Sequence, residues 1–241
     1  MNAIKKDKII IEEKDVPVYT YEFSQKDKLN EVLDNASIFI LYLKMSDPVS
    51  QQNINHMFIA KIIEYRTYWV KFIYNTLKVN KHAMDNDEDF WNNFNHITYL
   101  NHTYNELMTK MNLPIKTFEP KLDGYKNIWG PRYWFFLHNV SFLVQNHTTL
   151  IEDFSCLMLN FHLILLCGEC AQNFKAKDPL KLLTIKMVKT LDPVNTLYNF
   201  HNIVNSSLFS KIFSENEFNI LYNCTKQFKK YISYIEIIEP H

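Results

Sequence analysis

Glycine is scarce in this chain, and its scarcity limits the folds that the chain can adopt. Only three of the 241 residues are glycine and eight are proline. Folds built from many short strands need glycine-rich turns between the strands, because several of those turns require positive φ angles. Long apolar and charged stretches without such breakers favour helices, and 47% hydrophobic residues are enough to bury a sizeable core. The composition therefore predicts an all-α fold.

The charge balance and the apolar segments argue against several classes of protein. Lysine plus arginine and aspartate plus glutamate number 26 each, so no basic field predicts a nucleic-acid partner. Residues 1–14 are charged and lack the apolar region of a secretory signal. The longest apolar stretch, residues 154–166, is interrupted by Asn160 and His162 and is too short to cross a bilayer. We expect an intracellular protein with no membrane span and no nucleic-acid partner.

The first half of the chain predicts an extended arm and three helices. Residues 1–24 mix charge with a short β-like patch, and we expect the arm there. Ser24 is a suitable N-cap for a helix whose apolar residues recur at helical spacing as far as Leu43. The same periodicity predicts helices over about 53–79 and 88–111. No catalytic motif occurs here, so we interpret the many aromatic residues as core and interface packing.

A cluster of chain breakers separates this half from the second. The breakers are Pro114, Pro120 and Gly124. We place a domain boundary there, which gives a helical N-terminal region of residues 1–120 and a second domain of residues 121–241. The N-terminal region is interpreted as a degenerate bundle or a dimer interface. The helices predicted for the second domain are 128–147, 150–166, a short one at 168–177, 186–209 and 214–236.

The short helix begins at the sequence Cys167-Gly168-Glu169-Cys170, and we regard this dithiol as the centre of the chemistry. A structural zinc site would need two more ligands, which the isolated Cys156 and Cys224 and the scattered histidines do not supply as a motif. A thioredoxin-like motif should follow a strand, whereas a helical pattern precedes Cys167. A CxxC that opens a helix inside a bundle has a stabilised thiolate, because the helix amides and dipole lower its pKa. We favour this third interpretation and expect no metal.

Two helix faces with aromatic and polar side chains flank the dithiol in the sequence. Trp134 and His138 are four residues apart and therefore share one face. His201 and Asn205 have the same spacing, and Asn202 lies beside them. The rings can stack on a planar heterocycle, while the imidazole and amide groups can hydrogen-bond its polar edges. These faces predict a binding site for a flat aromatic cofactor next to the dithiol.

The segment 129–211 resembles the flavin-linked sulfhydryl oxidases of the Erv/ALR family. The family pattern is Gly-x3-Trp-x3-His, then CxxC with Phe or Leu four residues on, then His-Asn-x-Val-Asn. The matching residues are Gly130, Trp134 and His138; Cys167, Cys170 and Phe174; and His201, Asn202, Val204 and Asn205. The intervals between the motifs are also similar to those of the family. With its helical N-terminal half, the chain is most similar to the baculovirus-type branch found in large DNA viruses.

The resemblance implies a four-helix bundle plus a short fifth helix, with FAD bound between the helices. Cys170 would be the flavin-proximal cysteine and Cys167 the outer cysteine that a substrate thiolate attacks. The cofactor-binding residues that it implies are Gly130, Trp134, His138, Cys170, His201, Asn202 and Asn205. The implied activity is an FAD-dependent thiol oxidase that forms disulfides in protein substrates and reduces O2 to H2O2. The resemblance further implies a homodimer that acts where virus particles assemble, in the host cytoplasm or nucleus, or in the virion.

Several positions depart from the family pattern. Val144 and Gln145 stand where Tyr-Pro is frequent. Tyr198 replaces a cysteine that forms a structural disulfide in many members. Ser210 stands at a position that is usually basic, with Lys211 next to it. The resemblance therefore defines the redox centre better than the contacts to the adenine and phosphate groups.

Two questions about function remain open in the sequence. The chain has no second CxC or CxxC that could shuttle electrons, so substrates should reach Cys167 directly or through Cys224. The alternative function is a catalytically decayed helical protein with an interaction or structural role in virion assembly. The colour of the purified protein separates the oxidase from this alternative, since an oxidase that binds flavin is yellow. A zinc module would instead be colourless and contain metal.

Overall fold

The described part of the chain is mostly helical and carries one two-stranded ribbon. A computed structural model describes residues 10–46, 56–84, 87–117, 126–208 and 210–238. Its α-helices are α1 (Gln25–Met45), α2 (His56–Val79), α3 (Glu88–Asn92), α4 (His96–Asn101), α5 (Tyr104–Met111), α6 (Lys126–Val144), α7 (Thr148–Leu159), α8 (Gly168–Lys175), α9 (Lys186–Thr190), α10 (Pro193–Ser207) and α11 (Glu215–Leu221). The strands are β1 (Ile10–Glu22) and β2 (Thr225–Ile238). The prediction of a mostly helical chain is confirmed, with the ribbon as the exception.

The ribbon joins segments from opposite ends of the sequence. Strand β1 lies in the predicted arm, of which residues 1–9 lie outside the described residues, and it pairs antiparallel with β2. The predicted helix over 214–236 is therefore wrong beyond α11. Asn223 has a left-handed φ of 44° just after that helix. The residues that follow are rich in β-branched and aromatic side chains, which favour a strand once β1 supplies hydrogen-bond partners.

In the N-terminal half, α1 forms as predicted and the third helix does not. The side chain of Ser24 accepts a hydrogen bond from the backbone N–H of Asp27, as the N-cap prediction requires. The predicted start of α2 near residue 53 lies outside the described residues. The single helix predicted over 88–111 is wrong, because polar side chains interrupt it: Asn95 caps α4, and Thr103 forms a capping box that starts α5.

The second half departs from the predicted helix boundaries in two further places. Helix α7 ends at Leu159, and a 3-10 turn (Phe161–Ile164) replaces the rest of the predicted helix. The helix predicted over 186–209 is divided by Leu191, whose φ is 50°, and by Asp192, which caps α10. A π-helical turn (Leu180–Ile185) precedes α9. No helix within the described ranges is both long and apolar enough to cross a membrane.

One aromatic core joins the two halves of the chain. Phe39 of α1 stacks on Phe136 of α6 with 4.5 Å between ring centroids. Phe72 of α2 stacks on Phe154 of α7 with its ring plane tilted by only 9°. The proposed boundary falls partly in residues 118–125, outside the described residues, and helices from both sides of it pack together. The helix that carries the Trp/His motif is therefore supported by α1 along its length.

A buried lysine ties α1 to the helix that carries this motif. Lys28 is only 2% exposed, and its Nζ lies 2.9 Å from a carboxylate oxygen of Glu31 and 3.3 Å from Oδ1 of Asn139. The ammonium also lies 5.0 Å from the ring centroid of Phe142 and 5.7 Å from that of Tyr222. A buried charge is tolerated only with such partners, so Lys28 fixes α1 against α6 and against the end of α11.

Candidate functional site

A cavity of about 960 Å³ lies among α6, α8, α10 and α11. Its volume falls at the upper end of the range for ligand pockets, about 300–1,000 Å³. The predicted site residues in its wall are Gly130, Trp134, His138, Cys170, His201, Asn202 and Asn205. Cys167 is bonded to Cys170 and lies outside the wall. The fold thus brings three distant sequence motifs to one cavity, with one sulfur of the dithiol facing it.

The dithiol opens helix α8. Cys167 and Cys170 form a disulfide, with 5.1 Å between their Cα atoms, and both residues are half-buried. Cys167 is the N-cap of the helix, and its Sγ accepts a hydrogen bond of 3.2 Å from the backbone N–H of Cys170. A 3-10 turn precedes it, whereas a thioredoxin-like motif would follow a strand. When the pair is reduced, the amides at this helix end favour the thiolate of Cys167.

Aromatic packing fixes α8 beside the cavity. Phe174, one turn after Cys170, is buried against Phe161 of the 3-10 turn and Phe200 of α10. The ring centroids of Phe174 and Phe200 are 5.2 Å apart in an edge-to-face arrangement. This contact anchors the short helix that the dithiol opens.

Stacked rings from α6 and α10 form another part of the wall. The rings of Trp134 and His201 are nearly parallel, with 3.9 Å between centroids. Nε2 of His138 lies 3.0 Å from Nδ1 of His201, within hydrogen-bond distance. Nδ1 of His138 is buried and has no hydrogen-bond partner among the described residues. The two predicted faces therefore meet as one aromatic and imidazole surface with an unsatisfied polar atom.

Burial keeps both histidines neutral. Burial, and then the neighbouring His201, lower the pKa of His138 well below its usual 6.5. Burial also lowers the pKa of His201 to about 4. At neutral pH only one of the two facing nitrogens carries a proton, so one ring donates and the other accepts the hydrogen bond between them. The pair supplies polar atoms to the cavity without a net charge.

The neutral pair predicts that stability falls on acidification. The unfolded histidine binds a proton near pH 6.5, whereas folded His201 binds one near pH 4, so stability present above pH 6.5 is lost as pH falls toward 4. For His201 alone the loss is about 3 kcal/mol, at about 1.4 kcal/mol per pKa unit. Urea unfolding at several pH values between 7.5 and 4.5 measures it. His201→Gln should flatten the profile, and His96→Gln, at an exposed histidine, should not. Equal profiles for all three proteins would contradict the burial argument.

Asn202 and Asn205, from the His-Asn-x-Val-Asn motif, brace the cavity wall through side-chain hydrogen bonds. The side chain of Asn202 donates to the backbone O of Phe213 at 2.9 Å and accepts from the N–H of Phe213 at 3.0 Å. The side chain of Asn205 donates to the backbone O of Lys211 at 2.9 Å. These bonds hold residues 210–213 against α10 and bring them into the wall. Sequence reasoning assigned both amides to the cofactor and did not anticipate this bracing role.

Sequence reasoning also missed the wall residues beyond the third motif. Phe213, Phe218 and Tyr222 line the cavity, and the ring centroid of Tyr222 lies 5.0 Å from that of His138. Phe213 lies between the last motif and the helix predicted over 214–236. That uninterrupted helix gave no reason for Phe218 and Tyr222 to face the cavity. Lys211, noted as a displaced basic residue, lines the cavity while its Nζ forms an ion pair of 2.8 Å with Glu217.

The remaining cysteines lie elsewhere. Cys156 is exposed on α7, and Cys224 is half-buried at the start of the ribbon. Burial raises the pKa of the Cys224 thiol to about 11, although Lys28 opposes the shift. At neutral pH almost none of Cys224 is thiolate, and the thiolate is the form that attacks a disulfide. This chemistry disfavours Cys224 as a relay to Cys167.

The site thus combines a half-buried disulfide with a cavity of ligand size. The described residues contain no group of three or more His, Cys, Asp or Glu side chains placed to hold a metal ion. Comparisons of the chain with protein-family models, with curated proteins and with solved structures find no significant match.

Proposed function

We propose that this protein is an FAD-dependent thiol oxidase that forms disulfides in protein substrates and reduces O2 to H2O2. The observation that carries the proposal is the position of Cys170, which is bonded to Cys167 and also lies in the wall of a ligand-sized cavity. A dithiol that turns over needs an electron acceptor within contact of one sulfur while the other sulfur meets the substrate. The position of Cys170 in the cavity wall and of Cys167 outside it supports this division of roles.

The cavity wall fits FAD in several respects. The parallel rings of Trp134 and His201 offer a flat surface for a planar ring system, and the unpartnered Nδ1 of His138 offers a hydrogen-bonding atom. A Cβ atom added at Gly130 would meet no other atom within 4 Å, so the space beside this part of α6 is open. Lys211 can supply positive charge for a pyrophosphate if it leaves Glu217. FAD, when bound, accepts two electrons and passes them to O2.

The residues of the chain carry the thiol chemistry. A substrate thiolate attacks Sγ of Cys167, and the bond to Cys170 breaks, leaving a mixed disulfide and a Cys170 thiolate at the cavity wall. A second substrate thiol then attacks the mixed disulfide and releases the oxidised substrate with Cys167 as a thiolate. The N-terminal amides of α8 stabilise that leaving group. The cysteines have gained two electrons, and their reoxidation completes the cycle with one O2 reduced to H2O2 for each disulfide formed.

The proposal includes the fold and setting that accompany this activity in the family. We assign α6, α7, α8 and α10 to an Erv-like four-helix bundle, with α11 as an additional short helix closing the cavity. Helices α1 and α2 cover the opposite face of α6 and α7, as a degenerate bundle would. The proposed protein is a homodimer that acts inside the infected host cell or in the virion, where assembling proteins need disulfides in a reducing compartment.

An absorption spectrum with oxygen uptake tests the proposal. The purified protein should show flavin bands that bleach with dithiothreitol without air and return on aeration, while oxygen is consumed and H2O2 formed. Trp134→Ala should lose bound flavin, and Phe58→Ala, at an exposed aromatic residue on α2, should keep it. Colourless protein that consumes no oxygen even with added FAD would overturn the proposal and leave an interaction or structural protein of the virion.

A further inference from the structure

Five lysines, most of them exposed, follow the dithiol along the chain from the end of α8 to α9. They are Lys175, Lys177, Lys181, Lys186 and Lys189, which we call the lysine ridge. The same stretch of chain contains a single acidic residue, Asp178, whose carboxylate accepts from the backbone N–H of Lys181. In a protein with equal numbers of acidic and basic residues, this local excess of positive charge needs an explanation.

Two lysines of the ridge lack the ion pairs that other lysines in the described part of the chain have. Lys78, Lys110 and Lys226 each form an ion pair with a carboxylate at 2.8–3.1 Å. Within the described residues, Lys175 and Lys181 form no ion pair. Positive charges left unpaired on a surface attract acidic partners and steer their approach.

Apolar side chains are interleaved with these lysines. Leu180, Ile185 and Val188 are 49%, 42% and 39% exposed. They lie on the π-helical turn and α9, two elements that pack on α7 through their other sides. A surface with both apolar and cationic groups fits a protein segment with apolar and acidic side chains. Nucleic acid would use the lysines and leave the apolar groups without partners.

The exposed face of α8 leads from the dithiol to the ridge. Gly168, Gln172 and Lys175 are exposed and lie on one side of that helix. Lys175 lies about 12 Å along the axis from Cys167, at about 1.5 Å per residue. A protein interface of ordinary size covers about 800 Å² on each partner, so a substrate seated on Cys167 also covers the beginning of the ridge.

We propose that the lysine ridge docks acidic segments of substrate proteins next to the cysteines that are oxidised. This proposal rests on the proposed oxidase function and names its substrate class as dithiol proteins with an acidic, partly apolar segment beside a cysteine. Because the contact is electrostatic and exposed, it raises kcat/KM through association and is weakened by salt. Small thiols do not span the distance and are oxidised independently of the ridge.

Three reduced dithiol peptides and dithiothreitol test the proposal. The peptides differ only in several residues beyond the second cysteine, which are glutamate, glutamine or lysine. At low salt the glutamate peptide should have a kcat/KM about tenfold above the lysine peptide, and the difference should nearly vanish at about 0.5 M NaCl. Equal rates for the three peptides would overturn the docking proposal. Failure to oxidise dithiothreitol would instead contradict the oxidase function, so the two failures are distinguishable.

Two double variants, each with two lysines changed to glutamate, test whether the lysine ridge itself causes the preference for the glutamate peptide. Lys175→Glu with Lys181→Glu should remove the preference for the glutamate peptide and leave dithiothreitol oxidation and bound flavin unchanged. Lys26→Glu with Lys81→Glu makes the same change in net charge at exposed lysines in the first turn of α1 and just after α2, and it should preserve the preference. Loss of the preference in both pairs would show a global charge effect and overturn the assignment. Binding of the ridge to vesicles of anionic lipid, without any peptide preference, would also overturn it.

Discussion

Replacing Cys170 with serine should reduce oxygen uptake by about a thousandfold or more, since removing a covalent nucleophile costs at least that much in other enzymes. Cys170 is the only cysteine of the dithiol in the cavity wall. Its loss should therefore stop electron transfer from the substrate to the proposed cofactor. Bound flavin should remain, because the stacked Trp134 and His201 are untouched. Oxygen uptake with dithiothreitol and the flavin spectrum measure the two effects.

The partner cysteine gives a second measurement in the same variant. With Cys170 replaced, Cys167 is a free thiol at the N-terminus of α8, and its alkylation by iodoacetamide should follow a pKa below the usual value of about 8.5. Cys224→Ser is the matched control and should retain activity to within about twofold, because burial holds that thiol protonated. Activity that survives in Cys170→Ser, or is lost in Cys224→Ser, would contradict the assignment of roles.

Replacing Lys28 with alanine should lower the free energy of unfolding by about 3 kcal/mol, the cost expected when one partner of a buried charged cluster is removed. The substitution removes the cation that lies over the rings of Phe142 and Tyr222, empties its volume and leaves Oδ1 of Asn139 without this donor. Urea unfolding with both midpoint and slope determined measures the change.

Two further substitutions divide that effect between packing and charge. Lys28→Met keeps most of the volume and should cost about 1 kcal/mol, because well-packed apolar residues often replace buried ions at little cost. Lys26→Ala, two residues earlier on the same helix but exposed, should change stability by less than about 0.5 kcal/mol. If Lys28→Ala were no more destabilising than Lys26→Ala, Lys28 would not be part of the core in solution.

Local patterns predicted the elements that local interactions determine. Ser24 and the apolar spacing after it predicted α1, and the dithiol predicted the start of α8, because caps and periodicity lie within a few residues of the element that they specify. The pattern failed at residues 88–111, where Asn95 and Thr103 form caps inside an otherwise helical sequence. The capping residues are visible in the sequence there, but the apolar periodicity runs across them.

The failures in the site have a different cause. The segment after α11 becomes a strand because β1, about 200 positions earlier in the sequence, pairs with it, and no local signal contains that partner. Because the turn after α11 was not predicted, Phe218 and Tyr222 could not be assigned to the cavity. Lys28 was unpredictable for the same reason, since burial of a lysine depends on partners such as Asn139 that are distant in sequence. The predicted residues of the cavity wall came from motifs, whereas the strand pairing and the burial of Lys28 depend on partners that are far away in the sequence.

The pairing of β1 with β2 also sets an order of events during protein synthesis. Tyr21, near the end of β1, packs against Phe142 and against Phe218 of α11, and its backbone O accepts a hydrogen bond from Gln145. The ribosome makes β1 first and α11 and β2 among the last of the described elements. A nascent chain therefore cannot close the side of the cavity formed by Phe218 and Tyr222 until these elements have emerged. Closure of this side of the cavity is therefore a late step of folding, and β1 stays without its partner until β2 has been made.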